Sequence, residues 1–400
     1  MKLKKTLIRL ASVLVLVAIL AGCTNEAATT PAGDGGAAGE VTEVTIGLLA
    51  PLTGGVAQFG TAVQHGVMLY VDAHNALGGV QINVIPFDEE GDPTLALTGY
   101  LHLYDQGVSA IIGSVTSGST LAVVPDAYAD GMPMITATST AAAVTVDAAT
   151  GHVWSNMFRS CFIDPFQGEK MAEFAVEVLG AQTAAVLFSN EIDYSIGLAE
   201  AFIARAEHLG LEIVAVETFA EDAISYHSQL TNIANVNPDV MFFPAYYQHV
   251  ALMGPQSVEV GLEATLLGAD GWEGSLEIMA DPSSIEGAFF LTGFTDESDD
   301  PMVQEFIANF TAAVGSSPNM FGAQAYDAAM ILINAIEGAI AEGYHPTEVD
   351  GFRASIIRHM AATDLTGVTG HITFDEFNNP QKTAFIIQVV DGSASFWGYF

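Results

Sequence analysis

Basic residues and cysteines are scarce in this 400-residue chain. It has 10 Lys and Arg against 47 Asp and Glu, which gives a formal net charge of −37. Because proteins bind the phosphate backbone through Lys and Arg, this deficit argues against a nucleic-acid partner. Two cysteines are too few for a disulfide framework or for a four-thiolate metal site.

Sequence motifs of enzymes and metal sites are also missing. There is no Gly-x-Ser-x-Gly elbow, no His-Glu-x-x-His and no Walker loop, and the ten histidines are scattered. The acidic run Asp296–Asp300 lacks the regular spacing of a calcium loop and is expected to be a solvated loop. We therefore expect no enzyme activity, no cofactor and no metal.

The composition is that of a folded globular protein. Half of the residues are hydrophobic and 14% are charged, with 39 Gly and 15 Pro. These proportions exclude a wholly disordered chain, a collagen and a coiled coil. Because domains commonly contain about 100–200 residues, the length predicts two lobes.

The N-terminal residues are typical of an export signal. Lys2, Lys4, Lys5 and Arg9 make the start basic, residues 10–20 are apolar except for Ser12, and the segment ends in Leu20-Ala21-Gly22-Cys23. This last segment resembles a bacterial lipobox, so residues 1–22 are expected to be a lipoprotein signal peptide and Cys23 the lipidated residue. The alternative is an uncleaved anchor in which the cysteine is incidental. Residues 23–43 are expected to form a flexible tether, because 24–40 contain no large apolar side chain.

Strand and helix patterns alternate along the rest of the chain. This alternation predicts an α/β fold with mostly parallel sheets wrapped by helices. In such sheets the ligand binds at the carboxyl ends of the strands, so the loops that follow strands are the candidate site. The predicted strands are Val44–Leu49, Gln81–Phe87, Ala110–Ile112, Pro133–Thr136, Ala184–Phe188, Glu212–Glu217, Val240–Phe243, Thr265–Leu267 and Thr383–Val390.

Four of these loops carry polar or aromatic residues. Hydroxyl-rich loops follow two strands, at Gly113–Thr120 and Ala137–Thr140, and their hydroxyls and helix N–H groups suit a carboxylate. Tyr246 follows a third strand, and Asp270 beside Trp272 follows a fourth, which suits an ammonium group. Ordinary caps, turns and buried aromatics are the alternatives for each loop. Together the loops match a zwitterionic α-amino acid.

From about Val44 to Val390 the chain resembles the branched-chain-amino-acid type of solute-binding protein of ABC importers, which has the type I periplasmic-binding fold. The order and spacing of several segments carry this resemblance. They are Ile46–Gly54, Ile112–Thr120, Met134–Thr140, Gly268–Trp272 and Tyr326–Ala328.

The resemblance implies a role for each candidate residue. Ser117 would bind the ligand carboxylate, Thr138 would use backbone atoms, and Thr140 would serve both carboxylate and ammonium. Asp270 would pair with the ammonium. Ser139 makes this loop more polar than in some relatives, which leaves the ligand side chain open. The remaining candidates are aromatic, namely Tyr194 and Tyr246 closing over the ligand, Phe59 and Phe321 as apolar walls, and Trp272 at the border of the pocket.

The resemblance also implies two lobes joined by three hinge crossings. We expect lobe I over 44–163 and 295–368 and lobe II over 164–294 and 369–400. The crossings are then expected near 160–166, 290–296 and 366–372. Some relatives have a disulfide in the first lobe, whereas Cys161 here is expected to be a buried small hydrophobic residue.

The expected function is therefore capture of a small molecule outside the cytoplasm. The protein would be a monomeric, lipid-anchored receptor that closes two lobes over a branched-chain or similar apolar amino acid. It would then deliver this ligand to an ABC permease and its ATPase. The alternative is a sensory module for a small amide, urea or an aromatic acid.

Overall fold

Two β-sheets flanked by helices organise residues 42–400, which are the residues that the computed structural model describes. The residues predicted to form the signal peptide, Cys23 and most of the predicted tether lie outside this range. Residues Val41–Phe400 form one compact unit, in which all the strands and helices below are found.

The first sheet has five parallel strands in the order β2-β1-β3-β4-β5. Apolar residues of β1 such as Val44, Ile46 and Leu48 are fully buried, as expected of a central strand covered on both faces. The strands of this sheet are β1 Glu43–Ala50, β2 Gln81–Asp88, β3 Ile111–Gly113, β4 Met134–Thr136 and β5 Met157–Arg159.

The second sheet has seven strands in the order β14-β13-β10-β9-β8-β6-β7. Five are parallel, but β13 and β14 are antiparallel additions at one edge. A separate hairpin consists of β11 and β12. The bounds are β6 Thr183–Ser189, β7 Glu212–Phe219, β8 Val240–Phe242, β9 Thr265–Gly268, β10 Phe289–Thr292, β11 Asp364–Gly367, β12 Gly370–Thr373, β13 Phe385–Val390 and β14 Ser393–Tyr399.

Helices connect most of the parallel strands. Side-chain caps at Asp92, Asp300 and Asn319 accept backbone N–H groups and fix the starts of three of them. Asp300 of the acidic run is therefore a helix cap. The helices are α1 Ala57–Ala76, α2 Pro93–Asp105, α3 Ser117–Ala129, α4 Asp164–Glu177, α5 Asp193–Leu209, α6 His227–Val236, α7 Tyr247–Glu259, α8 Ser275–Ile278, α9 Pro301–Val314, α10 Met320–Ala341 and α11 Val349–Ala361.

Each sheet forms its own lobe, which confirms the predicted α/β fold class with two parallel-sheet lobes. The first lobe comprises the first sheet with α1–α3 and α9–α11. Here α1 and α10 cross so closely that a Cβ at Gly66 would lie 2.1 Å from the Gly322 carbonyl oxygen. The second lobe comprises the second sheet with α4–α8.

The chain passes between the lobes three times, which agrees with the expected number of crossings. The first passage lies between β5 and α4, and the second between β10 and α9. The range 366–372, where the sequence predicted the third, forms the turn of the β11–β12 hairpin. Asn378 still donates to the Met157 carbonyl of the first lobe, at 3.1 Å. We therefore place the third passage at 380–384, later than predicted, because a hairpin docked on the first lobe precedes it.

Candidate ligand-binding site

A small cavity lies where the carboxyl ends of the two sheets meet. In this arrangement the lining atoms nearly meet, and the free volume between them is only about 10 Å³. Both lobes contribute to its wall, and eight of the ten predicted ligand residues line it. The lining residues are Phe59, Val115, Thr116, Ser117, Thr138, Thr140, Tyr194, Tyr246, Asp270, Gly271 and Phe321.

The first wall of the cavity is the N-terminus of α3. Thr116 is its extended N-cap residue and makes no side-chain cap, so the first N–H groups of the helix face the cavity beside Ser117. The buried carboxylate of Glu89 accepts from the hydroxyls of Ser114 at 2.7 Å and Ser119 at 2.9 Å, which positions this loop. The hydroxyl of Ser117 accepts from the Ala141 N–H at 3.2 Å, so its own O–H is what Ser117 can donate at the cavity wall.

The loop after β4 forms the second wall. Its turn is built by Thr136, whose hydroxyl donates to the Ser114 carbonyl at 2.6 Å and accepts from the Ser139 N–H at 3.0 Å. The hydroxyl of Thr138 donates to the Val115 carbonyl at 2.7 Å, so backbone atoms are what Thr138 can offer a ligand. The buried Thr140 hydroxyl has no partner among the described residues.

A buried arginine supports this loop from behind. The guanidinium of Arg159 is fully buried and donates to the carbonyls of Ser139 and Ala141, each at 2.9 Å. Arg159 makes no ion pair with Asp164 or another acid in residues 42–400. The arginine instead fixes the loop through its backbone.

The second lobe contributes a carboxylate. Asp270 begins the one-turn 3₁₀ helix Asp270–Trp272 after β9 and is 3% exposed. Its Oδ1 accepts from the Tyr194 hydroxyl at 2.7 Å, and its N–H donates to Gln167 Oε1 at 3.0 Å. The Gly271 N–H donates to the same tyrosine oxygen at 2.8 Å. Asp270 is thus held at the cavity wall by neutral groups, without a cationic partner in the described part of the chain.

Burial dominates the electrostatics of this wall. It raises the pKa of Asp270 to about 6, although the hydrogen bonds from Tyr194 and Gln167 oppose the shift. Burial also raises the pKa of Asp164 well above its usual value, and Asp270 adds to that shift. The pKa values of Tyr194 and Tyr246 lie well above the usual range for the same reason. The tyrosines are therefore neutral donors, and a cation here would favour an ionised Asp270.

Aromatic rings close the remaining side. Phe59 lies 4.3 Å from Phe321 and 5.7 Å from Tyr246, measured between ring centroids. Tyr246 stacks on Tyr194 at 4.8 Å. Since Phe59 and Phe321 belong to the first lobe and the tyrosines to the second, the lobes touch over the cavity. The rings therefore form an apolar wall of the cavity.

Two predicted ligand residues do not line the cavity. Trp272 was expected at its border, but the indole N–H donates to the Phe243 carbonyl at 2.8 Å and the ring stacks on Phe290 in the core of the second lobe. The backbone of Ser139 is used by Thr136 and Arg159. Cys23 lies outside the described residues.

Sequence reasoning missed several residues that build the site. Thr136, Gln167 and Glu89 each position a cavity residue, and of these only Thr136 lies in a segment that carries the resemblance. Glu89, the second of three acids after the predicted strand Gln81–Phe87, was a further available signal. Cys161 is buried as expected, and burial raises the pKa of its thiol to about 12.

A wider hollow adjoins the cavity at the mouth of the cleft and shares Thr116 and Tyr246 with it. Its wall is acidic on both lobes, with Glu90 from the first and Glu191 and Glu221 from the second. Burial, reinforced by Glu191, raises the pKa of Glu221. A ligand with a net negative charge would be repelled on this path.

Residues 42–400 offer no group of three or more His, Cys, Asp and Glu that could hold a metal ion. In the same range, the helices are all too short or too polar to cross a membrane.

The sequence of the chain matches the periplasmic binding protein family over residues 43–394. The Leu/Ile/Val-binding protein BraC3 of Rhizobium johnstonii is 28% identical over 300 residues, which cover 74% of this chain and 80% of that protein.

Two solved structures share the fold at similar identity. The leucine-binding protein LivK of Thermotoga maritima is 30% identical with a TM-score of 0.81, and the match covers 89% of this chain and 98% of that one. The branched-chain amino acid transporter substrate-binding protein LivJ of Streptococcus pneumoniae, in complex with isoleucine, is 28% identical, also with a TM-score of 0.81. This second match covers 90% of this chain and 99% of that one. The two-lobed architecture is therefore the type I periplasmic-binding fold.

Proposed function

The chain belongs to the periplasmic binding protein family, and from this premise we propose that it captures a free apolar α-amino acid, branched-chain or similar in size, between its two lobes. The family and the fold are those of substrate-binding proteins of ABC transporters, which are not enzymes.

The two lobes present opposite kinds of group to a ligand in the cavity. The cavity has donors for an anion on one lobe and an acid for a cation on the other. Ser117, the unpaired hydroxyl of Thr140 and the N-terminus of α3 face Asp270 and the tyrosines across it. An α-amino acid carries both charges on neighbouring atoms, so it would pair with both halves at once. The pairing offsets the cost of burying these charges.

The rest of the wall favours an apolar ligand side chain. Val115, Phe59 and Phe321 line the cavity together with the tyrosine rings, and the free space is small. Two of the proteins similar to this chain are named for binding leucine, isoleucine and valine in one case and leucine in the other, which supports the same size class.

The alternative ligands fit these surroundings less well. An aromatic acid would leave Asp270 without a cation and would approach past the acidic hollow. Urea or a simple amide would place no charge beside the donors of α3. These compounds are therefore the negative controls in the thermal-shift experiment below.

We also propose a cellular location and partners for the protein. The family is extracytoplasmic, and the Leu20–Cys23 segment supports export followed by lipid attachment at Cys23. We propose that the protein acts as an anchored monomer and delivers its ligand to an ABC permease with its ATPase. Closure of the lobes by bending at the three crossings would enclose the ligand in the cleft.

A thermal-shift screen of the compact unit Val41–Phe400 tests the ligand class. Leucine, isoleucine and valine are expected to raise the melting temperature, because a ligand that binds the folded form stabilises it by mass action. Urea, acetamide and benzoate are expected to have no effect. A shift with benzoate or acetamide and none with the amino acids would reject the proposed ligand.

A further inference from the structure

One face of α10 contacts the first two passages between the lobes and the β11–β12 hairpin that precedes the third. Met320, Gln324 and Asp327 follow one another at spacings of four and three residues, so they lie on one side of the helix. The first two also adjoin Gly293 in the second passage. The chemistry of these contacts differs from passage to passage, and the difference indicates which passage can move.

The chain leading to the third passage is held firmly. The buried carboxylate of Asp327 accepts from the N–H groups of Val368 at 2.8 Å and Thr369 at 2.9 Å, and from the Thr369 hydroxyl at 2.5 Å. The ammonium of Lys382 donates to the same hydroxyl at 2.5 Å. Bonds to a buried charged group are strong, so the β11–β12 hairpin should stay with α10 during any motion of the lobes.

The first passage is joined to α10 by one ordinary hydrogen bond. The hydroxyl of Ser160 donates to the backbone carbonyl of Gln324 at 2.8 Å.

The second passage is held most weakly. The N–H of Gly293 donates to the sulfur of Met320 at 2.8 Å, and a thioether is a weak acceptor. A Cβ at Gly293 would lie 2.7 Å from the amide nitrogen of Gln324 and 3.1 Å from the ring of Phe162. The backbone at Gly293 is therefore packed directly against the Gln324 side chain.

The amide of Gln324 is the anomaly in this arrangement. The residue is fully buried, yet neither its nitrogen nor its oxygen has a hydrogen-bond partner in the described part of the chain. A buried amide without partners is costly, and buried side chains are normally paired. The lobes touch over the ligand cavity in this arrangement, so the cost belongs to the closed form.

We propose that Gln324 is a positioning residue of the hinge that opposes closure. Its amide is unpaired when the lobes are closed, and it becomes open to water when they separate and the passage at Gly293 moves away from it. This role of Gln324 rests on the proposed function, because a hinge that opposes closure lowers the affinity for the captured ligand and so eases its release.

The variant Gln324→Met tests this, because methionine keeps the length of the side chain and removes both polar atoms. Solution scattering of ligand-free Val41–Phe400 should show a smaller radius of gyration for this variant than for the wild type. Calorimetry with L-leucine should show about fivefold to tenfold tighter binding, although the residue does not line the ligand cavity. An unchanged radius, or an affinity that is unchanged or weaker, would overturn the inference.

The variant Gly293→Ala should act in the opposite direction. Its Cβ would press on the Gln324 amide in the closed form, so the radius of gyration should increase and L-leucine should bind at least about threefold more weakly. A radius of gyration and an affinity equal to those of the wild type would contradict the inference. This result would count even if Gln324→Met did not fold.

Asn156→Leu provides the matched control. Asn156 is also a buried amide with an unpaired oxygen, but it contacts the Met132 carbonyl within the first lobe. Its replacement should change stability without changing the radius of gyration or the affinity. If L-leucine bound none of the proteins, the proposed ligand would be wrong, whereas the ligand-free radii would still decide the role of Gln324.

Discussion

The substitution Asp270→Asn removes one negative charge from the ligand cavity and keeps the size of the side chain. The asparagine oxygen can still accept from the Tyr194 hydroxyl, which lies 2.7 Å from Asp270 Oδ1. Any loss of affinity for an amino acid therefore reports the missing charge and not a collapsed wall.

The expected loss is large because the site excludes water. Asp270 is 3% exposed, so solvent screens its charge very little. Removing one partner of such a buried charge pair costs about 2–5 kcal/mol. At about 1.4 kcal/mol for each factor of ten, the dissociation constant for L-leucine should rise about 30-fold or more.

Isothermal titration calorimetry of wild type and variant with L-leucine at pH 7.5 measures this loss. Asp193→Asn is the matched control, since it removes the same charge from an exposed position in the same cleft. Its effect should stay within about twofold, because exposed charges are screened. Equal losses in both variants, or no loss at Asp270→Asn, would refute the assignment of Asp270 to the ammonium group.

Further predictions concern pH and the buried arginine. Because the pKa of Asp270 is raised to about 6 and only the ionised form pairs with an ammonium, affinity should be constant above about pH 7. At pH 5 it should fall about tenfold, and Asp270→Asn should abolish this dependence in titrations from pH 5 to 8; a flat wild-type profile would contradict the pairing. Arg159→Met should lower the free energy of unfolding in urea by about 2–4 kcal/mol, because two buried carbonyls lose a charged donor. Unchanged stability would show that the loop after β4 does not need this support.

Much of the fold followed from local patterns. Apolar runs bounded by Gly and Pro predicted most strands of the two sheets, since a buried parallel strand is apolar on both faces. The strands β5, β10 and β14 were not predicted. The β11–β12 hairpin was not predicted, because its strands have four residues each and lack a clear alternation. Gly367 and Gly370 lie in the range 366–372, where the third crossing was expected, but they form the turn of that hairpin. Two glycines are typical both of a hinge and of the turn of a hairpin. Only the packing of the hairpin on α10 distinguishes these two structures.

The sequence predicts the site residues that lie in loops after strands. It does not predict the orientation of a side chain, because packing sets that orientation. Ser117, Thr140 and Asp270 stand directly after strands, so the topology brings them together. Trp272 shares that loop with Asp270, yet its indole lies against Gly268, where a Cβ would come within 2.3 Å of the ring. The sequence shows that an aromatic side chain is present, but the space above Gly268 decides which way it turns.

The central claim is that one cavity binds both charged ends of a free amino acid, with the first lobe on the carboxylate and Asp270 on the ammonium. Calorimetric titration of the same protein with L-leucine, L-leucinamide and 4-methylpentanoate tests it most directly, because the two analogues each lack one charged end. L-leucine should bind, and both analogues should bind at least about 30-fold more weakly, since each leaves buried groups without a charged partner. If 4-methylpentanoate or L-leucinamide bound as tightly as L-leucine, the two-ended site would be contradicted.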